Sequence, residues 1–369
     1  MAILKKNRLV GLDIGSHSIK LVEIDHSKRE KSLKNFGVIT LPHNAVMEGN
    51  IKDEDSVVSA IMALYDNLKI KNRKVATSIS GFSVIAKKIA LGLDHQDESE
   101  IENAIRSEAE QYIPFDIDEV NLDFDIVGSE YDSDAYGDDN AKEGPDRIEV
   151  MVVAAKRQIV EDYVILLEKA GLVPSIIDID VFALQNAFEI SEAEYLEAEN
   201  LKSCIALVDI GAEQITMNVL KNNIPFFTRD SSFGGMQITN LIMSEFDVDY
   251  ETAEKIKLGA TDIEDTERLE KIVSSVVSEW VLEIKRNLDF VRTTYRDETI
   301  GKILMSGGAC RLPGFQEYLQ QETEIPVFEF NPFSGLMLNK NKFDQEYLNY
   351  MAPQSAVAVG LALRSIGDK

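Results

Sequence analysis

The tripeptide Asp-Ile-Gly occurs twice in the chain, each time at the end of an apolar run, as Asp13–Gly15 and as Asp209–Gly211. Aligning the two copies also aligns Ile19 with Ile215, within a second apolar run that follows each glycine. A glycine in a tight turn between two strands lets backbone N–H groups approach an anion closely, because no Cβ atom stands in the way. The repeated motif therefore predicts two turns that bind phosphate groups.

The first copy carries further polar groups that suit a phosphate. Ser16 and Ser18 supply hydroxyl donors, and Lys20 can reach a phosphate as a point charge. The alternative is that the hydroxyl groups only complete the turn. Asp13 and Asp209 would repel a phosphate unless a hard cation lies between, and Mg²⁺ held largely through water is the usual one. Together, the two copies predict a clamp for a magnesium nucleotide.

The elements that must position these residues are pairs of apolar strands joined by short turns. Because the two copies share their flanking strands as well as the tripeptide, they predict two homologous halves that face one another. The alternative is a pair of unrelated hairpins that share three residues by chance. Strands alternate with helices along the rest of the chain, so the predicted class is α/β.

Apolar periodicity predicts the other elements. Pro114 ends the first of the helical patterns, and the segment 128–147 is rich in Asp and Gly, which predicts a mobile acidic loop. The predicted helices span 101–113, 157–170, about 181 onward, 237–246, 250–258, 265–295 and 355–364, and the predicted strands span 115–127, 148–155, 175–179 and 302–305.

Composition excludes several classes of function. The 38 Lys and Arg residues against 64 Asp and Glu give a net charge of −26 without a basic stripe, so we expect no nucleic-acid partner. No apolar run approaches the roughly 18 to 20 residues of a membrane span, and the first residues do not resemble a signal peptide, so we expect a cytoplasmic protein. P-loop and Rossmann glycine patterns are absent. Cys204 and Cys310 are predicted to be packed thiols, and His17 to point to solvent.

Three motifs, in this order, resemble those of the actin/Hsp70/sugar-kinase superfamily. They are a phosphate 1 motif from Asp13 to Lys20, a phosphate 2 motif at Asp209–Gly211 and an adenosine motif from Met305 to Phe315. Within that superfamily the segment from Glu108 to Phe124 resembles the PilM family of actin-like proteins of type IV pilus assembly. The likeness covers essentially the whole chain.

The resemblance implies an actin-like, ribonuclease H-like duplicated fold with two lobes around a nucleotide cleft. The first lobe would span residues 1–200 and the second lobe residues 201–369. A small extra subdomain similar to that of FtsA would span 82–153 within the first lobe and contain the acidic loop.

The resemblance also assigns roles in binding ATP and Mg²⁺ to residues of this sequence. Glu254 and Lys257 lie three residues apart on one helical face, and a plain surface ion pair is the alternative there. The implied ligands are Gly15, Ser16, Ser18, Lys20 and Gly211 for the phosphates, Asp13 and Asp209 for the metal through water, Glu254 and Lys257 for ribose and adenine, and the backbone at Gly307 and Gly308 for sugar and base.

Hydrolysis is a separate question. By resemblance, Asp180 occupies the position that orients the attacking water, and Asp178 is a less favoured alternative. An aspartate beside the γ-phosphate is a liability unless metal screens its charge. Glu213 would also repel a γ-phosphate unless it turns outward, and Thr216 lies one position later than the hydroxyl usual in the family. We therefore expect ATP binding with weak or absent ATPase activity.

The resemblance implies a partner as well, the N-terminal cytoplasmic peptide of a PilN-like inner-membrane protein. The peptide would lie in a groove between the large and the extra subdomain, lined by Val84–Leu91 and by the helix near Glu108–Ile113. Other components of the pilus machine are possible partners, and membrane contact would be indirect, through recruitment to the inner face of the inner membrane.

Two alternatives remain open in the sequence. One is a small-molecule kinase or slow ATPase of the same superfold. The other is an FtsA-like cell-division filament protein, although residues 365–369 after the last predicted helix show no basic amphipathic helix for self-anchoring.

Overall fold

The computed structural model describes residues 8–26, 30–92, 98–130, 147–195, 203–261, 263–295 and 298–367. The chain divides into two compact units. The larger combines the residues up to Gly81 with those from Val164 onward, and the smaller runs from Phe82 to Tyr163. Most of the acidic segment predicted at 128–147 lies outside the described residues.

Fifteen strands and ten α-helices follow one another along the described residues. The strands are β1 (Val10–Ile14), β2 (Ser18–Asp25), β3 (Ser32–Thr40), β4 (Val46–Met47), β5 (Asn50–Ile51), β6 (Lys74–Ile79), β7 (Val84–Gly92), β8 (Val120–Glu130), β9 (Arg147–Lys156), β10 (Val173–Ile179), β11 (Cys204–Ile210), β12 (Ile215–Lys221), β13 (Ile224–Ser231), β14 (Ile300–Ser306) and β15 (Val327–Glu329). The helices are α1 (Glu54–Asn67), α2 (Glu98–Ala109), α3 (Arg157–Lys169), α4 (Asp180–Tyr195), α5 (Gly235–Phe246), α6 (Tyr250–Lys257), α7 (Thr266–Thr294), α8 (Phe315–Thr323), α9 (Gln345–Met351) and α10 (Ala356–Leu363).

Two five-stranded sheets of the same topology form the frame of the larger unit. The first has the order β10-β6-β1-β2-β3 and the second has the order β15-β14-β11-β12-β13. In each sheet an antiparallel hairpin, β1–β2 or β11–β12, is followed by a third antiparallel strand, and two parallel strands extend the other side. The predicted α/β class and its duplication are therefore confirmed.

Helix α10 fixes β1 to α4. All of its residues from Ala356 to Ala362 are buried, as expected for an uninterrupted run of small and apolar residues. Glycines allow α10 to approach both neighbours closely: Gly11 lies at its contact with β1, and Gly360 lies at its contact with α4. A Cβ atom at Gly11 in β1 would lie 2.2 Å from the carbonyl oxygen of Ala358, so α10 can rest directly on the strand.

Helix α7 covers the second sheet with an apolar face. Its buried residues Val276, Trp280 and Ile284 recur every four positions, which is the spacing of one helical face. The indole N–H of Trp280 donates to the side-chain oxygen of Gln237 at 2.8 Å, and the same oxygen accepts from the backbone N–H of Gly234 at 3.1 Å. The core thereby holds the loop that leads into α5.

In the part of the smaller unit that the structure describes, three strands form an antiparallel sheet in the order β7-β9-β8, with α2 packed on one face. The strand predicted at 115–127 begins only at Val120. Asp116 accepts a hydrogen bond from the backbone N–H of Asp118, and residues 117–119 form a 3₁₀ turn. Likewise α2 ends at Ala109, earlier than predicted, and turns lead on to Ile113.

No helix in the part of the chain that the structure describes combines the length and the apolar character needed to cross a membrane.

Candidate functional site

The two Asp-Ile-Gly motifs form matched turns at the ends of the two hairpins. The N–H of Gly15 donates to the carbonyl oxygen of Ser18 at 3.2 Å, and the N–H of Gly211 donates to that of Gln214 at 2.9 Å. Asp13 pairs across its hairpin with Lys20, and Asp209 occupies the equivalent position in the other. We call these turns, with the side chains of Asp13, Lys20, Asp180 and Asp209, the two-turn site.

Lys20 lies over the first turn. Its Nζ is 3.2 Å from Oδ2 of Asp13, and both side chains are about one-seventh exposed, at 14% and 13%. A Cβ atom at Gly15 would be 3.2 Å from the same Nζ. A cation therefore stands beside the Gly15 backbone, where the sequence predicts a phosphate.

Three carboxyl groups converge in the two-turn site. Burial is the main cause that raises the pKa of Asp180 to about 7 and that of Asp209 to about 6, and the nearby Asp13 carboxylate raises both further. Each has a hydroxyl donor: Ser78 Oγ donates to Asp180 at 2.5 Å, and Ser306 Oγ donates to Asp209 at 2.7 Å. The structure thus brings the predicted metal residues and the predicted catalytic residue together.

Glycines from the adenosine motif border the second turn. Gly307 has a φ of 86°, and a Cβ atom there would lie 2.2 Å from the carbonyl oxygen of Ile210, so only glycine fits this position. At Gly308 a Cβ atom would meet no protein atom within 4 Å. At Gly307 the backbone of this segment therefore packs against the end of β11. At Gly308 the main chain has open space beside it.

Glu254 and Lys257 form a pair that is mostly enclosed. Lys257 Nζ is 2.6 Å from Glu254 Oε1, and the two side chains are 12% and 13% exposed, so the alternative of a surface ion pair is wrong. Thr239 completes the cluster: its hydroxyl donates to Glu254 and accepts from Lys257 at 2.8 Å. The sequence did not predict Thr239, because its contact arises where α5 meets α6.

Glu213 turns toward the first turn and not outward. Its Oε2 accepts hydrogen bonds from the Ser16 hydroxyl at 2.7 Å and from the backbone N–H of Glu48 at 2.6 Å. Thr216, by contrast, is committed to its own sheet, since its hydroxyl donates to Asp230 at 2.8 Å. The second turn therefore offers a carboxylate, and not a hydroxyl, to the residues opposite.

The prediction that His17 points to solvent is wrong. Its Nδ1 lies 2.8 Å from the hydroxyl of Tyr250, and burial is the main cause that lowers the pKa of His17. The ring of His43 stacks on Tyr250 with centroids 4.4 Å apart. Tyr250 lies 233 positions from His17 in sequence, so no local pattern points to it.

Asp178, the alternative catalytic residue, faces elsewhere. Its Oδ2 is 3.5 Å from Arg364 Nε, near the end of α10, and its Oδ1 accepts from the N–H of Ile179. Burial raises the pKa of Asp178, and Arg364 partly offsets this rise. The contact with Arg364 therefore assigns Asp178 to the packing of α10.

The smaller unit carries a separate apolar groove between β7 and the end of α2. Its most exposed ring is Tyr112, 42% exposed, and Lys87 Nζ stands 3.6 Å from the centre of that ring. In the described three-stranded sheet β7 is an edge strand and pairs with β9. This β7–α2 groove is lined by Ile85, Lys87, Ile89, Ala109, Tyr112, Ile113, Val152 and Ala154.

Comparisons with known proteins agree with this architecture. A family model described as type IV pilus assembly protein PilM matches residues 11–366. A chain in a solved PilM-PilN type IV pilus biogenesis complex is 29% identical, with a TM-score of 0.82 over 98% of this chain and 99% of that chain.

More distant similarities extend to two further proteins. The cell division protein FtsA of Bacillus subtilis (strain 168) is 24% identical over 372 residues, which cover 95% of this chain and 82% of FtsA. The ethanolamine utilization protein EutJ of Carboxydothermus hydrogenoformans is 13% identical, with a TM-score of 0.55 over 98% of this chain and 91% of that protein.

Proposed function

Since the chain belongs to the family of the type IV pilus assembly protein PilM, we propose that it is an ATP-binding, actin-like scaffold of the inner-membrane pilus assembly complex. We also propose that the protein binds the N-terminal cytoplasmic peptide of a PilN-like membrane protein. The observation that carries the nucleotide part is the convergence of two matched turns, one lysine and three carboxyl groups in the two-turn site.

Phosphate binding would use the backbone N–H groups of the two turns and the cation beside them. The turns at Gly15 and Gly211 have no Cβ to hinder an anion, and Ser16 and Ser18 add hydroxyl groups. Lys20 already stands beside the first turn, 3.2 Å from Asp13, and can exchange that carboxylate for a phosphate oxygen.

The nucleoside would lie on the side of the second sheet. The enclosed pair of Glu254 and Lys257 offers an acceptor and a donor to the ribose hydroxyl groups and to the base. Gly307 and Gly308 offer main chain without side chains, against which a flat base can pack. The adenosine assignment rests on the resemblance to the family, and the enclosed ion pair supports it.

Mg²⁺ fits the chemistry of the two-turn site. Asp13 and Asp209 supply hard carboxylate oxygens, and the raised pKa of Asp209 means that its charged form is disfavoured there until a cation offsets it. No three side chains among the described residues lie close enough together to hold a metal ion by themselves, so water and phosphate oxygens would complete the coordination. The ion would neutralise part of the phosphate charge.

Turnover would be slow or absent. Asp180 begins α4 and would orient a water near the terminal phosphate, but its pKa of about 7 leaves it partly protonated at neutral pH. Glu213 adds a negative charge beside Ser16. The chain would therefore hold ATP as a ligand that shapes the protein, and not as a fuel that is rapidly consumed.

The peptide would bind in the β7–α2 groove. An extended peptide could pair with the outer edge of β7 through main-chain hydrogen bonds and place apolar side chains against Ile85, Ile89 and Tyr112. The smaller unit carries 22 Asp and Glu against 7 Lys and Arg, a formal charge of −15 out of −26 for the whole chain. This charge favours a peptide with a basic residue, and such a partner would recruit the protein to the inner face of the membrane.

Two titrations test the proposal. In calorimetry with Mg-ATP we expect one equivalent to bind the wild type, and Asp13→Ala to bind at least about tenfold more weakly, which is a loss of about 1.4 kcal/mol. Lys271→Ala, a change at an exposed lysine on α7, is the control. Absence of binding of any adenine or guanine triphosphate to the wild type would overturn the nucleotide part.

For the peptide part, a labelled peptide from the cytoplasmic segment of a PilN-like protein would be titrated in fluorescence anisotropy. We expect Ile85→Glu in the groove to weaken binding at least about tenfold. Ile126→Glu, at an exposed position on β8 outside the groove, should bind like wild type. Equal effects of the two substitutions, or no binding to the wild type, would remove the groove from the proposal.

A further inference from the structure

The larger unit has a first half, built on the first sheet, and a second half, built on the second sheet. One carboxylate oxygen connects the two. Glu213 lies in the turn between β11 and β12, and its Oε2 accepts from the Ser16 hydroxyl at 2.7 Å and from the Glu48 N–H at 2.6 Å. Ser16 belongs to the turn between β1 and β2, and Glu48 to the turn between β4 and β5. Two separate turns of the first half are therefore held by a single atom of the second half.

The donors around this oxygen are of the kind that bind a phosphate. A hydroxyl group and a backbone N–H that converge on one anionic oxygen form charge-assisted hydrogen bonds, as they do with phosphate oxygens. Glu48 also has a positive φ of 49°, a conformation that a non-glycine residue keeps only where its surroundings hold it. The bond to Glu213 is one contact that holds it.

A second contact fixes the neighbouring residue of the same turn. The hydroxyl of Tyr250, at the start of α6, lies 2.8 Å from Nδ1 of His17. The turn that carries Ser16 and His17 is thus held by the second half at two successive side chains. Movement of Glu213 can therefore free Ser16 while Tyr250 keeps the turn in register.

We propose that Glu213 is an internal competitor of the terminal phosphate, and that it sets how this site discriminates between nucleoside diphosphates and triphosphates. The inference rests on the proposed nucleotide site. A ligand phosphate that takes the Ser16 hydroxyl must displace the Glu213 carboxylate, and the two anions repel one another. A triphosphate carries more negative charge than a diphosphate, so the repulsion penalises it more strongly.

The same geometry makes the contact a switch. While Glu213 bonds Ser16 and Glu48, the two halves are joined at this point. When a triphosphate occupies Ser16, the bridge opens and the turn at Glu48 loses one of its contacts. The charge of the bound nucleotide is thereby converted into a change at the surface turn between β4 and β5.

The test measures the affinities of the full chain for Mg-ADP and for a magnesium complex of a non-hydrolysable ATP analogue. Glu213→Gln keeps the size and the acceptor oxygen of the side chain but removes its charge. We expect the preference for the triphosphate over the diphosphate to rise at least about fivefold in Glu213→Gln. The control is Glu251→Gln, a change at an exposed glutamate on α6, and it should keep the wild-type preference.

Ser16→Ala supplies the second arm, because it removes the hydroxyl for which the two anions compete. In that background Glu213→Gln should raise the preference by less than it does in the wild type. Hydrogen exchange of the Glu48 amide should also become faster in wild type with the ATP analogue than with Mg-ADP.

The outcomes separate this inference from the proposed function. An unchanged preference in Glu213→Gln, with both nucleotides bound, overturns the competition alone and leaves the nucleotide site standing. If the contact between Glu213 and Ser16 were merely structural, Glu213→Gln would weaken the binding of both nucleotides equally. If neither wild type nor variant binds any nucleotide, the proposed site fails and the inference fails with it.

Discussion

Gly360 in α10 lies so close to Ala183 in α4 that a Cβ atom at position 360 would stand 1.6 Å from the Ala183 carbonyl oxygen. A close-packed interior cannot absorb such an overlap with backbone, so one of the two helices would have to move. We expect Gly360→Ala to lower the free energy of unfolding by about 3 kcal/mol, measured by urea denaturation.

The same substitution should weaken nucleotide binding, because α4 begins at Asp180. Gly92→Ala is the matched control, since a Cβ atom at Gly92 would meet nothing within 4 Å. It should change the free energy of unfolding by less than about 1 kcal/mol. Comparable losses in the two variants would mean that the contact between α10 and α4 is not tight.

The pair of Glu254 and Lys257 should contribute measurably to stability. The Glu254 side chain is 12% exposed beside Lys257, so Lys257→Met would leave a mostly enclosed carboxylate without its cation. We expect a loss of about 2 kcal/mol in the free energy of unfolding. The exposed pair of Glu267 and Lys271 on α7 provides the comparison, and Lys271→Met should cost about 0.5 kcal/mol or less. Urea denaturation measures both, and a loss no larger than that of the control would show that Glu254 is solvated.

Stability should fall as the pH rises across the range in which Asp209 titrates. Burial raises its pKa to about 6 in the folded chain from the ordinary value of 3.8, so the folded chain binds this proton more tightly than the unfolded chain. That contribution is present at low pH and is lost between about pH 4 and pH 7. Asp209→Asn should therefore be more stable than wild type by about 2 kcal/mol near pH 8, with a smaller difference near pH 5.

The Asp53 carboxyl group affects the pH dependence of stability with the opposite sign, and it serves as the control. Hydrogen bonds from Ser56 lower the pKa of this helix-capping carboxyl, so its contribution is present at neutral pH and is lost as the pH falls. Both variants should differ from wild type mainly at the higher pH, where Asp53→Asn should be less stable and Asp209→Asn more stable than wild type. Parallel profiles would contradict the raised pKa of Asp209.

Mg²⁺ should stabilise the wild type and lose most of its effect when its carboxylates are removed. At about pH 8 we expect the melting temperature to be higher in Mg²⁺ than in EDTA by on the order of 3 °C, because the cation offsets the charges of Asp13 and Asp209. The double variant Asp13→Asn with Asp209→Asn should show no such shift in calorimetry. An equal shift in the double variant would place the metal elsewhere.

Local pattern was sufficient to predict the hairpins of the larger unit. Strand, turn and strand lie within one short stretch around Gly15 and again around Gly211, so adjacent residues alone define them. The same reasoning failed at residues 115–119, where alternating apolar and acidic residues suggested a strand. There the Asp116 side chain captures the N–H of Asp118 and stabilises a 3₁₀ turn, a competition that alternation does not reveal.

Contacts between distant segments could not be predicted in this way. The bond from Ser16 to Glu213 joins residues 197 positions apart, and the sequence offered both an outward and an inward direction for that glutamate. The burial of the Glu254 and Lys257 pair depends on Thr239 in a neighbouring helix. Such contacts follow from the packing of whole elements, on which a single sequence gives no direct information.

The position of α10 has a consequence for biosynthesis. The central strand β1 is made before every other strand of the first sheet, yet the helix that covers it and fixes it to α4 is made only after Ser355. The first sheet must therefore wait, with an apolar face uncovered, until translation has passed α10. We expect chaperones that shield exposed apolar strands to bind the nascent chain during this delay.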